Sequence, residues 1–418
     1  MKARRDEVVV TGVGVVSTAG PTADDLWNAV EAGRSGTRAL TFEPHGEPSI
    51  YGGRAEIGVE DLDERARKRL DRSGLLLLTA LRQAWRDAGL DRGPPADPER
   101  VGIVTGSSLN ALSSMFNEHD AWLRQGTEPR PSELIRCSAG AAASFAAWSL
   151  GIGGPILSLS GSSVTTACAL GEAWSKIAAG WLDVCLVGGA EAPLHPFICR
   201  TFQRAGVLAP GGPEAFRPFD RRRCGTQLGE AGAAIILESR EHAERRGAPA
   251  CADLLGFGTA HDPSFSWTSP DPDGRGLLRA AQRALESAQL TPREIDYVQL
   301  HGTGTRANDA AEARAMGHLF GVEEVGRIPA AGTKPITGHC LGASGVLETV
   351  TAIGAITRGF IPPTLNYAEP DANEVAVGVS AEIRRRPIAS ALVNTVGFGG
   401  QNTVLVLGAS ANDGGKVP

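Results

Sequence analysis

Apolar runs rich in Val, Ile and Leu recur along the chain, each bounded by Gly, Asp or Ser, and they predict ten β-strands. Five lie in the first part, at 7–17 (EVVVTGVGVVS), 100–108, 155–160, 183–191 and 232–239. Five more follow at 252–260, 296–305, 327–334, 390–400 and 402–410. Most are apolar on consecutive residues, the pattern of strands buried on both faces. Between them, apolar residues at three-and-four spacing predict helices over 23–33, 74–89, 274–290, 309–320 and 343–359. In ACALGEAWSKIAAG (167–180) the same spacing puts Ala167, Leu170, Ala173, Trp174, Ile177 and Ala178 on one face. Strands alternating with buried helices need cover on both sides, so the two sets of five predict a layered α/β/α/β/α body made of two similar halves. The halves divide at 1–250 and 251–411, and 412–418 reads as a frayed tail.

Composition narrows the class. The chain has 418 residues, 42% of them apolar, with 53 Gly and 26 Pro, as suits a loop-rich α/β enzyme. No apolar run reaches the ~18 residues of a membrane span, and the N-terminus passes from a short charged stub into a strand, so a cytoplasmic protein is expected. Seven cysteines without metal-ligand spacing predict neither a disulfide framework nor a metal centre. A net charge of −6 gives no footprint for nucleic acid. GVGVV (12–16) lacks the third glycine of a dinucleotide fingerprint.

Three places concentrate chemistry. The stretch SLSGSSVTTACALG leads into a helix whose N-terminal N–H groups favour negative charge, so Ser163 and Cys168 are both candidate nucleophiles. His301 lies in HGTGT after a predicted strand. His339 follows another, with Lys334 five residues before it. Loops at strand ends are where α/β proteins place their ligands.

Together HGTGT, K-x-x-x-x-H and GFGGQN (397–402), with GGAEA (188–192), RPFDRRRCG (217–225) and LGEAGAA (228–234), resemble the β-ketoacyl synthases of the thiolase superfamily. The resemblance covers nearly the whole chain and implies a thiolase-like duplicated α/β/α/β/α fold. It also implies a cysteine nucleophile, two histidines that bind the extender thioester carbonyl, and a lysine that organises the second histidine. His301, His339 and Lys334 match those positions, with Glu312 and Glu348 as supporting acids. Thr303, Thr305 and Phe398 match substrate contacts. No cofactor is implied on the enzyme, because the substrate rides on the phosphopantetheine arm of an acyl carrier protein.

In the family's register the nucleophile lies eight residues after the proline of the Gly-Pro strand start and 25 before GGAE. Pro155 to Ser163 is eight and Ser163 to Gly188 is 25, whereas Cys168 gives 13 and 20. Ser163 therefore holds the nucleophile position, with Cys168, in the motif-like TACALG, as the alternative. An alcohol is far less acidic than a thiol and needs a positioned base, so acyl transfer to Ser163 is expected to be slow. The histidines can still stabilise an enolate. This pattern resembles the freestanding synthases of polyketide β-branching cassettes, which decarboxylate malonyl carrier protein to acetyl carrier protein. Two other readings stand beside it: a Ser163-dependent acyltransferase or atypical condensing or cyclising synthase, and a non-catalytic partner of the chain-length-factor type.

Cys224-Gly225-Thr226 replaces the family's Asp-Gly-Phe, and Val396 replaces the first aromatic of its late motif, which puts a long acyl tunnel in doubt. In DERARKRLDR (63–72), Arg65, Arg69 and Arg72 share a predicted helix face with Lys68. Arg65, Lys68 and Arg69 match the family's carrier-protein docking positions. The strand PILSLS resembles the family's dimer edge, so a homodimer is expected.

Overall fold

Every one of the ten predicted runs contains a strand of a single hydrogen-bonded sheet. In chain order the strands are β1 (Val8–Ser17), β2 (Val101–Gly106), β3 (Ile156–Leu159), β4 (Val184–Glu191), β5 (Ala231–Ser239), β6 (Ala252–His261), β7 (Tyr297–Gln299), β8 (Ala330–Ala331), β9 (Ser390–Gly397) and β10 (Gln401–Gly408). The structure is a computed structural model that describes residues 7–41, 50–58, 64–93, 95, 97–264 and 266–410; the predicted tail lies outside them. The order across the sheet is β8-β7-β9-β10-β6-β1-β5-β4-β2-β3. Each half runs third, second, fourth, fifth, first strand from its outer edge inward. The three outer strands are parallel and the two inner ones antiparallel. The halves join where β1 meets β6, at Val9–Asp253 and Val10–Ala252. Two backbone pairs leave no mark on side-chain pattern, so the sequence did not show this seam.

Alternate residues of one strand serve different layers, as the period of two requires. On β5, Ile235 and Leu237 enter the central core while Ala234 and Ile236 face helix α2 (Arg72–Asp87). On β10, Leu405 and Leu407 enter the same central core, and Val404 and Val406 face α4 (Arg275–Ala288) on the opposite side. The central layer is formed by α3 (Thr165–Ala178) and α6 (Ser344–Arg358), and α5 (Arg306–Phe320) lies beside α4. The five-layer arrangement of two similar halves is thus present.

The basic run is interrupted. Helix α1 (Glu64–Arg69) ends before Asp71, whose carboxylate accepts from Gly74 N at 2.8 Å and caps the start of α2. Arg72 therefore belongs to a second helix and leaves the predicted face. Its guanidinium donates to Glu230 and to the Ala55 carbonyl instead. Arg65, Lys68 and Arg69 remain exposed on α1; Asp63 lies outside the described residues.

Candidate active site

The N-terminal ends of α3 and α6 are stitched together, and this brings distant residues into one place. Thr166 Oγ1 donates to Gly342 O at 2.6 Å and accepts from Val346 N at 3.0 Å. Gly345 is required at the crossing, since a Cβ there would lie 2.6 Å from Ala167 N. Ser163 precedes α3 after the end of β3, and His339 precedes α6 after the end of β8, so the internal duplication puts them at matching loops. Ser163 Oγ and His339 Nε2 are 3.1 Å apart. The other ring nitrogen of His339 meets Ser344 Oγ at 3.0 Å, and its backbone N–H donates to Gln227 O.

His301 follows β7, and its ring stands 5.5 Å from that of His339 at 84°. Glu312 on α5 holds the loop, accepting from His301 N at 2.7 Å and Gly302 N at 2.9 Å, and is itself held by Asn394 Nδ2 at 3.1 Å. Lys334 corrects an expectation. Its ammonium lies 3.1 Å from His301 Nδ1 and donates to the His301 carbonyl and to Glu348, so it organises the first histidine, not the second. The second is organised by Ser344. Neither Ser344 nor Asn394 was singled out in the sequence; Ser344 lies five residues after His339 at the start of a helical pattern, which was the available signal.

The two histidines and Ser163 border a cavity of about 600 Å³. Ser163, His301, His339, Thr303, Thr305 and Phe398 all line it. Thr303 and Thr305 share a hydroxyl contact of 2.9 Å. The departures from the family pattern, Cys224, Thr226 and Val396, line the same cavity. Cys168 does not line it. Its thiol contacts Thr403 Oγ1 at 3.2 Å on the side of α3, and burial pushes its pKa up, opposite to what a reactive thiolate needs.

Burial sets the charges. It holds His301 and His339 well below the usual 6.5, with the Lys334 charge acting in the same direction, so both rings are neutral at physiological pH. Burial also raises Glu312 and Glu348 to about 7. An ammonium only donates, so Nδ1 of His301 is the accepting nitrogen and Nε2 carries the hydrogen. When the Ser344 hydroxyl donates to Nδ1 of His339, the same tautomer is set there. In that tautomer the site presents two neutral N–H donors beside a hydroxyl, an arrangement suited to a developing oxyanion.

Models of known families match most of the chain. The β-ketoacyl synthase N-terminal domain matches residues 5–243, and the β-ketoacyl synthase C-terminal domain matches residues 251–368. The chain is 34% identical over 422 residues to 3-oxoacyl-acyl-carrier-protein synthase 2 of Coxiella burnetii, across 97% of this chain and 99% of that one. Among solved structures, it is similar to the ishigamide ketosynthase/chain length factor, with TM-score 0.90 at 29% identity over 97% of this chain and 100% of that one. It is also similar to a type II PKS acyl-carrier protein in complex with its ketosynthase bound to the hexaketide, with TM-score 0.88 at 29% identity and the same coverage. With its thiolase-like fold, the chain belongs to the β-ketoacyl synthase family, the condensing enzymes of fatty-acid and type II polyketide synthesis.

Proposed function

We propose that the protein is a ketosynthase-like decarboxylase that converts malonyl carrier protein to acetyl carrier protein in polyketide biosynthesis. The observation that carries this reading is the pair of neutral buried histidines facing a cavity whose nucleophile position holds an alcohol. The malonyl thioester oxygen accepts from Nε2–H of His301 and of His339. The bond to the carboxylate breaks, carbon dioxide leaves with its oxygens, and the electron pair stays on the enolate. With no acyl group stored on the enzyme, the enolate takes a proton from solvent and becomes the acetyl thioester. Thr303, Thr305 and Phe398 line the approach of the phosphopantetheine arm. Arg65, Lys68 and Arg69 offer a basic face to the acidic carrier protein. Incubation with malonyl carrier protein, followed by mass spectrometry of both proteins, tests the reading: acetyl carrier protein with unmodified enzyme is expected, and an unchanged substrate sinks it.

The 3.1 Å contact between Ser163 and His339 supports a second reading. If His339 donates through Nδ1 to Ser344 Oγ, its Nε2 lone pair takes the Ser163 proton and the hydroxyl becomes an acyl acceptor. The same spectra separate the two, since this route leaves acyl-Ser163.

We also propose a homodimer paired through β3. This strand ends the sheet, and Ile156 on it is 37% exposed. Unpaired apolar edges are ordinarily covered.

A further inference from the structure

The cavity wall carries one side chain of permanent charge among the described residues, and it is a cation, Arg306. Exposure rises steadily along the wall that leads to it: His301 and Thr303 are buried, Thr305 is half-buried and Arg306 is exposed. His301 therefore lies at the floor and Arg306 at the mouth. Among the described residues the Arg306 guanidinium has no carboxylate or other polar partner. Its backbone, by contrast, is firmly held. The Arg306 carbonyl accepts from Arg223 Nη2 at 3.2 Å, and that buried guanidinium is itself paired with Glu374 at 2.6 Å. Asp309 accepts from Gly304 N at 3.1 Å and from Phe219 N at 2.8 Å, fixing the turn before Arg306. Thr305 caps α5 through Asn308 N. A fixed frame thus presents an unpaired cation at the rim of a cavity in a chain of net charge −6.

We infer that Arg306 binds the phosphate of the phosphopantetheine arm, at the end of the cavity away from the histidines; this rests on the carrier-protein reading above. A thioester arm has two places for an anion. The malonyl carboxylate is adjacent to the reacting carbonyl and belongs with the histidines at the floor. The phosphate is at the far end of the arm, where the carrier protein begins, and so belongs at the mouth. A planar guanidinium matches phosphate through paired N–H donors.

The test is equilibrium binding of phosphopantetheine and of pantetheine to the intact enzyme, to Arg306→Ala and to Arg306→Lys. Neither ligand carries an acyl group, so the result does not depend on decarboxylation. Wild type is expected to prefer the phosphorylated ligand by roughly tenfold, as for an exposed charge-assisted contact. Arg306→Ala should bind both with the wild-type affinity for pantetheine, and Arg306→Lys should keep part of the preference. High salt should shrink it. Equal binding of the two ligands by wild type overturns the assignment, and so does an equal loss for both in Arg306→Ala. Arg306→Ala that keeps the phosphate preference but binds malonyl-pantetheine less well than acetyl-pantetheine would make Arg306 a carboxylate site and also overturns it. A phosphate preference lost in Arg306→Ala, in an enzyme that forms no acetyl product, supports the inference and removes the decarboxylase reading alone.

Discussion

Ser163 Oγ and Nε2 of His339 lie 3.1 Å apart although 176 residues separate them in the chain. The pair occupies matching loops of the two halves, each just before a central helix. The direction of that single contact decides between an oxyanion donor and a general base, and the hydroxyl of Ser344 on the opposite ring nitrogen sets it.

Replacing the alcohol by a thiol should restore a nucleophile. Ser163→Cys is expected to self-acylate with acetyl or malonyl thioesters and to be alkylated by iodoacetamide at position 163, because the thiolate is favoured at a helix N-terminus. Cys224 is exposed on the cavity wall and provides an internal control for labelling. Ser163→Ala should retain most of the decarboxylation. Its complete loss in a folded protein would move the assignment to the acyl-serine route, and wild type inactivated by labelling at Cys168 would overturn the register.

His301→Ala and His339→Ala should each slow decarboxylation by roughly 100-fold or more, the loss typical of an oxyanion donor. Lys334→Ala should act through His301, to which its ammonium is directly bonded. A double-mutant cycle therefore should show strong coupling of Lys334 with His301 and little with His339. The reverse pattern would contradict the geometry.

No loss of rate from imidazolium formation is expected as the pH falls through 6.5, where an ordinary histidine would charge, because burial keeps both rings neutral to lower pH; a change in rate near 7 belongs to Glu312 and Glu348. Protonation costs His301 its accepting Nδ1 and sets two cations side by side, so an acid limb is expected well below 6.5. Imidazole NMR signals of His301 and His339 that titrate at 6.5 would show that the rings are not buried in the working enzyme. Melting temperature is a poor substitute. The unfolded chain takes up histidine protons as the pH drops below 6.5, which destabilises the fold, whereas Glu312 and Glu348, raised to about 7, take up protons in the fold and stabilise it over the range from 7 down to 4.5.

Charge reversal at Arg65, Lys68 and Arg69 should raise KM for malonyl carrier protein several-fold, leave kcat unchanged, and have no effect on malonyl-pantetheine. Lys68 is held by Glu64 at 2.5 Å on the same helix, so Arg65 and Arg69 should carry most of the effect. An equal change with both substrates would place the defect in the fold.

Sedimentation at micromolar concentration should give twice the mass of the chain. Ile156→Asp on the exposed end of β3 should shift it toward the monomer. A monomeric wild type would refute pairing through that edge.

The apolar runs by themselves determined ten strands, their division into two sets of five and the layering, because a strand buried on both faces must be apolar on consecutive residues. Motif register likewise placed Ser163 rather than Cys168 at the nucleophile position, and the structure puts Ser163 on the cavity and the Cys168 thiol against Thr403. Partner choice was decided only in three dimensions. Lys334 lies five residues from His339 in sequence yet bonds His301, because the short helix Lys334–Thr337 carries its side chain toward the end of β7. Arg72 continued the basic spacing, but the Asp71 cap broke the helix and the buried Glu230 drew its guanidinium inward. Periodicity reports which face is buried; it carries no information about which buried group a charge will meet. That depends on the crossing of α3 and α6, tied through the Thr166 hydroxyl, and on the seam between β1 and β6, made by two backbone pairs that leave no side-chain pattern to read.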